Sequence, residues 1–147
     1  MKVRQATVAD LESLVCLFDG YRQFYGQASD LTGARAFLME RFEHQQSTLF
    51  VAVEDEKVVG FTQLYPSFSS VGLSRLFILN DLFVSPDARG GGVGRALLQA
   101  ACDYGRAVGA ARLCLSTAVT NVAAQALYEI AGWTRDMEFF NYDFTLS

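Results

Sequence analysis

The sequence contains a single histidine, His44, among 147 residues. A zinc site that uses two or three imidazoles cannot be built from one. A Ser-His-Asp or Cys-His catalytic arrangement would have to use His44 itself. His44 lies in a polar stretch, Glu-His-Gln-Gln, that predicts a surface histidine at the end of a helix. We therefore expect a chemistry that needs neither a metal nor histidine.

Cysteine and proline are also scarce, and long apolar runs are absent. The three cysteines, Cys16, Cys102 and Cys114, form no CxxC pair and stand among apolar neighbours, which predicts buried thiols in a reducing compartment. No segment approaches the roughly 18 uninterrupted apolar residues of a membrane span. The first residues lack the pattern of a signal peptide, since Asp10 and Glu12 precede any apolar run. These observations predict a soluble, cytoplasmic protein that does not contact membranes.

Positive charge is in deficit as well. Twelve Lys and Arg face sixteen Asp and Glu, and the net charge is −4. Without a basic run the chain lacks the footprint of a nucleic-acid binder. The acidic balance suits a cationic or neutral partner. Apolar residues make up 51% of the chain, which predicts one folded domain over residues 1–147.

Apolar periodicity predicts helices and strands that alternate in the second half of the chain. Helices are predicted from Thr7, at 32–43, at 93–108 and at 121–131. Strands are predicted at 3–6, 48–53, 58–65, 76–84, 111–117 and 140–146, with a short one at Trp133. This order indicates an α/β (α+β) fold around one mixed sheet.

Four glycines lie within residues 90–94, between the apolar strand at 76–84 and a helix. Glycine lets a backbone approach a ligand closely, and the first N–H groups of a helix bind phosphate oxygens. Arg89 and Arg95 add positive charge beside the loop. The segment matches neither GxxxxGK[ST] nor GxGxxG. It is thus a candidate phosphate site of another type, with a flexible turn as the alternative.

Two motifs resemble the GNAT family of N-acetyltransferases. Residues 89–94 read Arg-x-x-Gly-x-Gly, similar to the family's acyl-CoA pyrophosphate loop. Residues 121–133 read Asn-x-x-Ala-x-x-Leu-Tyr-x-x-x-Gly-Trp, similar to its later segment. The resemblance extends from the helix after Thr7 to the last strand. It implies the GNAT fold, a mixed, mostly antiparallel twisted sheet of about seven strands with about four helices.

The resemblance also implies a site for acetyl-CoA as the acetyl donor, without a metal. Backbone amides of 89–95 would hold the pyrophosphate, and 82–84 would pair with the pantetheine arm where this strand splays from 111–117. Asn121 would hydrogen-bond the pantetheine. The implied cofactor-binding residues are Leu82, Phe83, Val84, Arg89, Gly90, Gly91, Gly92, Val93, Gly94, Arg95, Asn121, Ala124 and Tyr128.

Two residues are candidates for proton transfer. The resemblance places Tyr128 near the sulfur as the general acid for the leaving thiolate; the alternative is a core aromatic. Asn80 stands where polyamine-acetylating relatives have a glutamate that acts as the general base through water. Asparagine cannot accept a proton. Asp81 is the candidate base, directly or through water, or else a structural carboxylate. Adjacent strand residues point to opposite sides, so both reach one site only across a β-bulge.

The acceptor is predicted to be an amine. The chain is nearest in character to Hpa-like and diamine (spermidine/spermine) acetyltransferases, although a lysine-containing peptide is an alternative acceptor. The candidate substrate residues are Tyr21, Phe24, Tyr25 and Asn80, and the three aromatics alternatively pack the helix end. The competing functions are a non-catalytic acyl-CoA-binding module and a nucleotide-binding domain. A nucleotide-binding domain would need a lysine directed at the phosphates, and no lysine lies near the loop. The family often dimerises, so a homodimer is expected.

Overall fold

The computed structural model describes residues 1–147 and contains five strands and four α-helices. The strands are β1 (Lys2–Gln5), β2 (Thr48–Glu54), β3 (Lys57–Ser69), β4 (Ser74–Val84) and β5 (Arg112–Cys114). The helices are α1 (Leu11–Phe24), α2 (Leu31–Glu43), α3 (Val93–Ala107) and α4 (Val122–Ile130). The chain forms two compact units, residues 1–116 with the sheet and α1–α3, and residues 117–147 with α4.

The sheet has the order β1-β2-β3-β4-β5. The first four strands run antiparallel to their neighbours, and β5 runs parallel to β4. The sheet is therefore mixed and mostly antiparallel, as predicted. The four predicted helices are confirmed.

The predicted count of seven strands is wrong, since only five form. The segment expected at 111–117 is a strand only at Arg112–Cys114, and neither Trp133 nor 140–146 forms a strand. Along the tail, Phe140, Tyr142 and Phe144 are each at least 87% exposed. Alternation of apolar and polar residues shows that a segment suits a strand, but a strand forms only beside backbone groups that can pair with it.

Helices cover both faces of the sheet in residues 1–116. On one face, α1 and α2 contribute Leu14, Phe18 and Leu38 to a core that includes Phe61 of β3. On the other face, the ring of Tyr104 in α3 lies 5.6 Å from that of Phe50 and 5.4 Å from that of Phe77. The two cores hold α1 and α3 on opposite sides of the central strands.

Gly60 of β3 sets how closely α3 approaches the sheet. A Cβ at this position would lie 3.1 Å from Cγ1 of Val93 and 3.2 Å from Cδ1 of Leu97. Such contacts are tighter than ordinary packing, so a larger residue would push the first turns of α3 away. The glycine therefore helps to place the start of α3, and the loop before it, at the end of β4.

The single histidine and the three cysteines lie at or near the surface. His44 is exposed and directly follows α2, so its predicted surface position at a helix end is confirmed. Burial was wrongly predicted for Cys16, which is exposed; its apolar sequence neighbours Leu14 and Val15 face the core, and the next position lies about 100° farther round the helix. Cys102 and Cys114 are partly exposed, and all three thiols are free. No helix combines the length and apolar character needed to cross a membrane.

Candidate active site

The glycine-rich loop joins the end of β4 to the start of α3. Gly90 and Gly92 adopt φ values of +83° and +82°, in the left-handed region that favours glycine. Gly92 is the N-cap of α3, and its carbonyl accepts the N–H of Ala96 at 3.0 Å. The N–H groups of Val93, Gly94 and Arg95 precede that first bond and have no acceptor within the helix. They are available to an anion at the positive end of the helix dipole.

Arg89 is fixed against the end of β4. Its Nε donates to the carbonyl oxygen of Val84 at 3.0 Å, and its guanidinium carbon lies 5.4 Å from the centre of the Phe83 ring. The other guanidinium N–H groups are further donors, and the guanidinium places a positive charge beside the loop. The arrangement combines backbone donors with a cation, which is suited to phosphate oxygens.

One edge of β4 is open before it reaches the loop. Pairing with β5 covers Leu76, Phe77 and Ile78 and ends at Cys114, whereas β4 continues to Val84. The backbone of residues 79–84, which includes Leu82 and Phe83, has no strand partner on this side. An extended ligand can hydrogen-bond to such an edge as an added strand would.

β4 contains a β-bulge at Asn80. Gln63 pairs with Asp81 and Leu64 pairs with Leu79, so Asn80 has no partner on β3. The extra residue brings two adjacent side chains together, and Nδ2 of Asn80 donates to Oδ1 of Asp81 at 2.8 Å. The bulge on which the sequence prediction depended is therefore present.

The bulge also reverses which face of the sheet the β4 side chains take. Before it, Phe77 contacts Tyr104 on the α3 face; after it, Phe83 packs with the α1–α2 core. Asp81 has the same parity as Phe83 and so faces α1 and α2. A buried carboxylate is thereby placed beside the C-terminal end of α1.

Asp81 is 2% exposed and is held at both side-chain oxygens. Besides the bond from Asn80, Oδ2 accepts Nε2 of Gln63 at 2.5 Å. Its backbone oxygen accepts the Thr62 hydroxyl at 2.7 Å. The hydroxyl of Tyr21 donates to the carbonyl oxygen of Asn80 at 3.0 Å, which ties α1 to the bulge.

Burial raises the pKa of the Asp81 carboxyl above its usual value, while hydrogen bonds from Gln63, Asn80 and Tyr21 act in the opposite direction. Nearby, burial and the negative charge of Asp81 raise the pKa of Tyr65 to about 12. A carboxylate whose pKa is raised is a stronger base than an ordinary one. Hydrogen bonds hold the Asp81 carboxylate, as expected of a structural carboxylate. The same carboxylate is also suited to accept a proton.

The three predicted substrate aromatics form a chain of ring contacts at the end of α1. Tyr21 lies edge-to-face with Tyr25 at 5.2 Å between ring centres, and Tyr25 lies edge-to-face with Phe24 at 5.3 Å. Phe24 is 59% exposed and Tyr25 is 52% exposed, whereas Tyr21 packs on Phe83. The exposed rings therefore continue outward from the residue that contacts Asn80.

The later motif forms the helix of residues 117–147. Asn121 is the N-cap of α4, and its Oδ1 accepts the N–H of Ala124 at 3.2 Å, which leaves the amide nitrogen of the side chain as a donor. Tyr128 lies within α4, partly buried, with its ring 6.1 Å from that of Trp133. Its carbonyl oxygen accepts the N–H of Trp133 at 2.9 Å, so the aromatic pair closes the end of the helix.

Sequence reasoning missed the polar residues that surround Asp81. Thr62 and Gln63 lie in the middle of β3 and are fully buried, and Ser47, directly before β2, donates to Gln63. The available signal was two consecutive polar residues within an otherwise apolar strand, because buried polar groups need partners. No cluster of three or more His, Cys, Asp or Glu side chains is placed to hold a metal ion.

Comparison with known proteins identifies relatives over the whole chain. The profile of the acetyltransferase (GNAT) family matches residues 14–133. An uncharacterized N-acetyltransferase, YhfO of Bacillus subtilis, is 49% identical over 97% of this chain and 95% of its own length. A probable acetyltransferase of Haemophilus influenzae is 40% identical over 71% of this chain and 72% of its own.

Solved structures agree with the sequence matches. The crystal structure of a probable acetyltransferase superposes with a TM-score of 0.95 at 43% identity, covering 100% of this chain and 99% of that one. The loop after β4 and the motif at 121–133 therefore occur in a chain whose sequence and fold both match acetyltransferases. This chain belongs to the acetyltransferase (GNAT) family and is an N-acetyltransferase.

Proposed function

We propose that the enzyme transfers the acetyl group of acetyl-CoA to a primary amine by direct attack in a ternary complex. The acceptor is a small polyamine-like molecule or a lysine side chain of a peptide. The observation that carries the proposal is the arrangement along β4. This strand bears the buried carboxylate of Asp81, then an open backbone edge, and then leads into a loop of unpaired amides.

Acetyl-CoA, which the family generally uses, suits the chemistry of these groups. Its pyrophosphate would accept hydrogen bonds from the amides of 89–95 with help from the side chains of Arg89 and Arg95. Its pantetheine amides would pair with the edge at 82–84 and with the Asn121 side chain.

The reaction then needs two proton transfers. The neutral amine attacks the thioester carbonyl carbon, a C–N bond forms, and the C–S bond breaks as the tetrahedral intermediate collapses. Asp81 takes the amine proton directly or through water, and Tyr128 gives its proton to the departing thiolate. The products are an N-acetylated amine and free CoA thiol. Catalysis relies on positioning, with no covalent enzyme intermediate.

The acceptor site is assigned to Tyr21, Phe24, Tyr25 and Asn80. The exposed faces of Phe24 and Tyr25 suit the alkyl portion and the ammonium group of an amine. The carboxylates of Glu129 and Asp136 would add to the attraction for a cation. Membership of the family with relatives named as acetyltransferases favours this enzyme over a non-catalytic acyl-CoA-binding module.

Acetyl transfer is tested by following free thiol from acetyl-CoA with polyamines, amino acids, aminoglycosides and lysine peptides, and by the mass of the acetylated product. We expect thiol release with at least one amine. Asp81→Asn should lower kcat/KM for that amine by about 10²- to 10⁴-fold, because the variant cannot accept the proton. Asp55→Asn, in an exposed turn, is the matched control. Full activity of Asp81→Asn would contradict the role of Asp81 as the base.

The homodimer is likewise a proposal, supported by the apolar tail. Phe140, Tyr142, Phe144 and Leu146 are 87–91% exposed and alternate with polar residues, as in a strand that lacks a neighbour. We expect sedimentation equilibrium to show a dimer at micromolar concentration. Tyr142→Asp should weaken it more than Thr145→Asp on the alternate side of the tail. A monomeric wild-type protein at 100-fold higher concentration would contradict this assignment.

A further inference from the structure

Two buried polar residues of β3 make their side-chain hydrogen bonds to Asp81. Thr62 and Gln63 are both 0% exposed. A buried amide or hydroxyl destabilises the fold when it has no partner. Apolar residues would fill the same positions without that risk. Their side chains point to opposite faces of the sheet, yet both contact Asp81.

Given the proposed role of Asp81 as the base, we propose that Gln63 and Ser47 are positioning residues that hold the Asp81 carboxylate in the orientation that accepts the amine proton. Ser47 acts through Gln63 and does not itself contact Asp81. The resulting chain of hydrogen bonds leads from half-buried Ser47, directly before β2, through β3 to the bulge of β4.

Ser47 and Asp81 hold the two ends of the Gln63 amide. The Ser47 hydroxyl donates to Oε1 of Gln63 at 2.7 Å, which leaves Nε2 to donate to Oδ2 of Asp81. If the amide were turned round, Oε1 would face the carboxylate oxygen and two acceptors would meet. The carboxylate, which only accepts, therefore selects the orientation of the amide, and the Ser47 hydroxyl stabilises that orientation by donating to Oε1.

The backbone of the bulge is held separately from its side chains. Thr62 binds the carbonyl oxygen of Asp81, and Tyr21 binds that of Asn80. The orientation of the carboxylate itself depends on the two amide donors, Gln63 at Oδ2 and Asn80 at Oδ1, together with the Tyr21 hydroxyl, whose hydrogen bond also acts on this carboxyl. A carboxylate has about four acceptor positions, so lone pairs remain for the incoming proton.

Loss of an amide donor should change the protonation of Asp81 in a defined direction. The donors stabilise the ionised form, so their removal raises the pKa of a carboxyl that burial has already raised. The other ionisable or charged groups around this pair are Tyr21 on α1, Tyr65 on β3, and Arg41 on α2, which acts on Tyr65.

The test measures the Asp81 titration directly, by the ¹³Cγ chemical shift, together with the acidic limb of the kcat/KM profile. In Gln63→Leu we expect both to move upward by about one to two pH units. Ser47→Ala should move both in the same direction by less, and Ser47→Thr, which retains a hydroxyl, should restore them. The Kd for CoA should stay unchanged in all three.

Thr48→Val is the matched control. It removes a hydroxyl from the next residue, the first of β2, whose bond of 3.2 Å runs to Tyr104 on the other face of the sheet. Its Asp81 titration should equal that of the wild type. An unchanged titration in Gln63→Leu would overturn the positioning role. If Gln63→Leu fails to fold, an unchanged titration in Ser47→Ala would overturn it. A shifted titration with an unmoved acidic limb would instead overturn Asp81 as the base.

Discussion

Tyr128→Phe is expected to lower kcat by about 10²- to 10⁴-fold, the usual contribution of a general acid, while the Kd for acetyl-CoA stays within a few fold. The substitution removes only the hydroxyl that would protonate the departing thiolate. The ring contact with Trp133 and the partly buried position in α4 are retained. Steady-state kinetics with the active amine and calorimetry with CoA give the two quantities.

Tyr142→Phe provides the matched control for Tyr128→Phe. It removes a hydroxyl from an exposed tyrosine of the same unit, residues 117–147, and should leave kcat unchanged. Equal turnover of Tyr128→Phe and the wild type would remove Tyr128 as the acid.

Gly92→Val is expected to raise the Kd for CoA by about 10- to 100-fold, equivalent to losing one hydrogen bond to a charged phosphate. Gly92 has φ +82°, where a β-branched residue is strained, so the loop would adopt another conformation. A Cβ there would meet no protein atom within 4 Å and would project into space open to a ligand. Isothermal titration calorimetry measures the change.

Gly109→Val separates this binding effect from general strain. Gly109 follows α3, has φ +78°, and likewise has no atom within 4 Å of a built Cβ. Both variants should lose stability in thermal unfolding by a similar amount, since each places valine in the left-handed region. Only Gly92→Val should lose affinity for CoA. An unchanged CoA affinity in folded Gly92→Val would contradict the proposed pyrophosphate loop.

Asp81 is the residue for which the structure adds most to what the sequence shows. In sequence, Asn80 and Asp81 are two polar residues that interrupt an apolar strand, and neither faces a site by necessity. In the structure, the bulge turns Asp81 toward α1, and Gln63 and Asn80 hold its carboxylate. A bulge depends on the register of two strands, which local sequence does not specify.

Local patterns were sufficient where the interactions are local. The helices were predicted well because their hydrogen bonds and apolar faces recur within a few residues, as in α2, expected at 32–43 and found at Leu31–Glu43. The loop before α3 was identified for the same reason, since glycine conformations and helix-end amides belong to a short segment. The two family motifs were recognisable because each lies on one continuous stretch.

Long-range pairing explains the errors. The tail alternates as a strand does, yet residues 140–146 form none, and β5 ends at Cys114 because its pairing with β4 ends there. Cys16 was expected inside, but the rotation of α1 against the sheet leaves it outside. These outcomes depend on which backbone edge or core face is nearby, and no single segment carries that information.

The sequence by itself determined the family, the phosphate-type loop and the candidate residues, because each rests on residue type at fixed local spacing. The scarcity of histidine was informative as well, because it left a carboxylate and a tyrosine as the candidate proton carriers. Only the tertiary structure decided that Asp81 is buried, bonded by Gln63 and turned toward Tyr21. Those properties arise where β3, β4 and α1 meet, and distant segments come together only on folding.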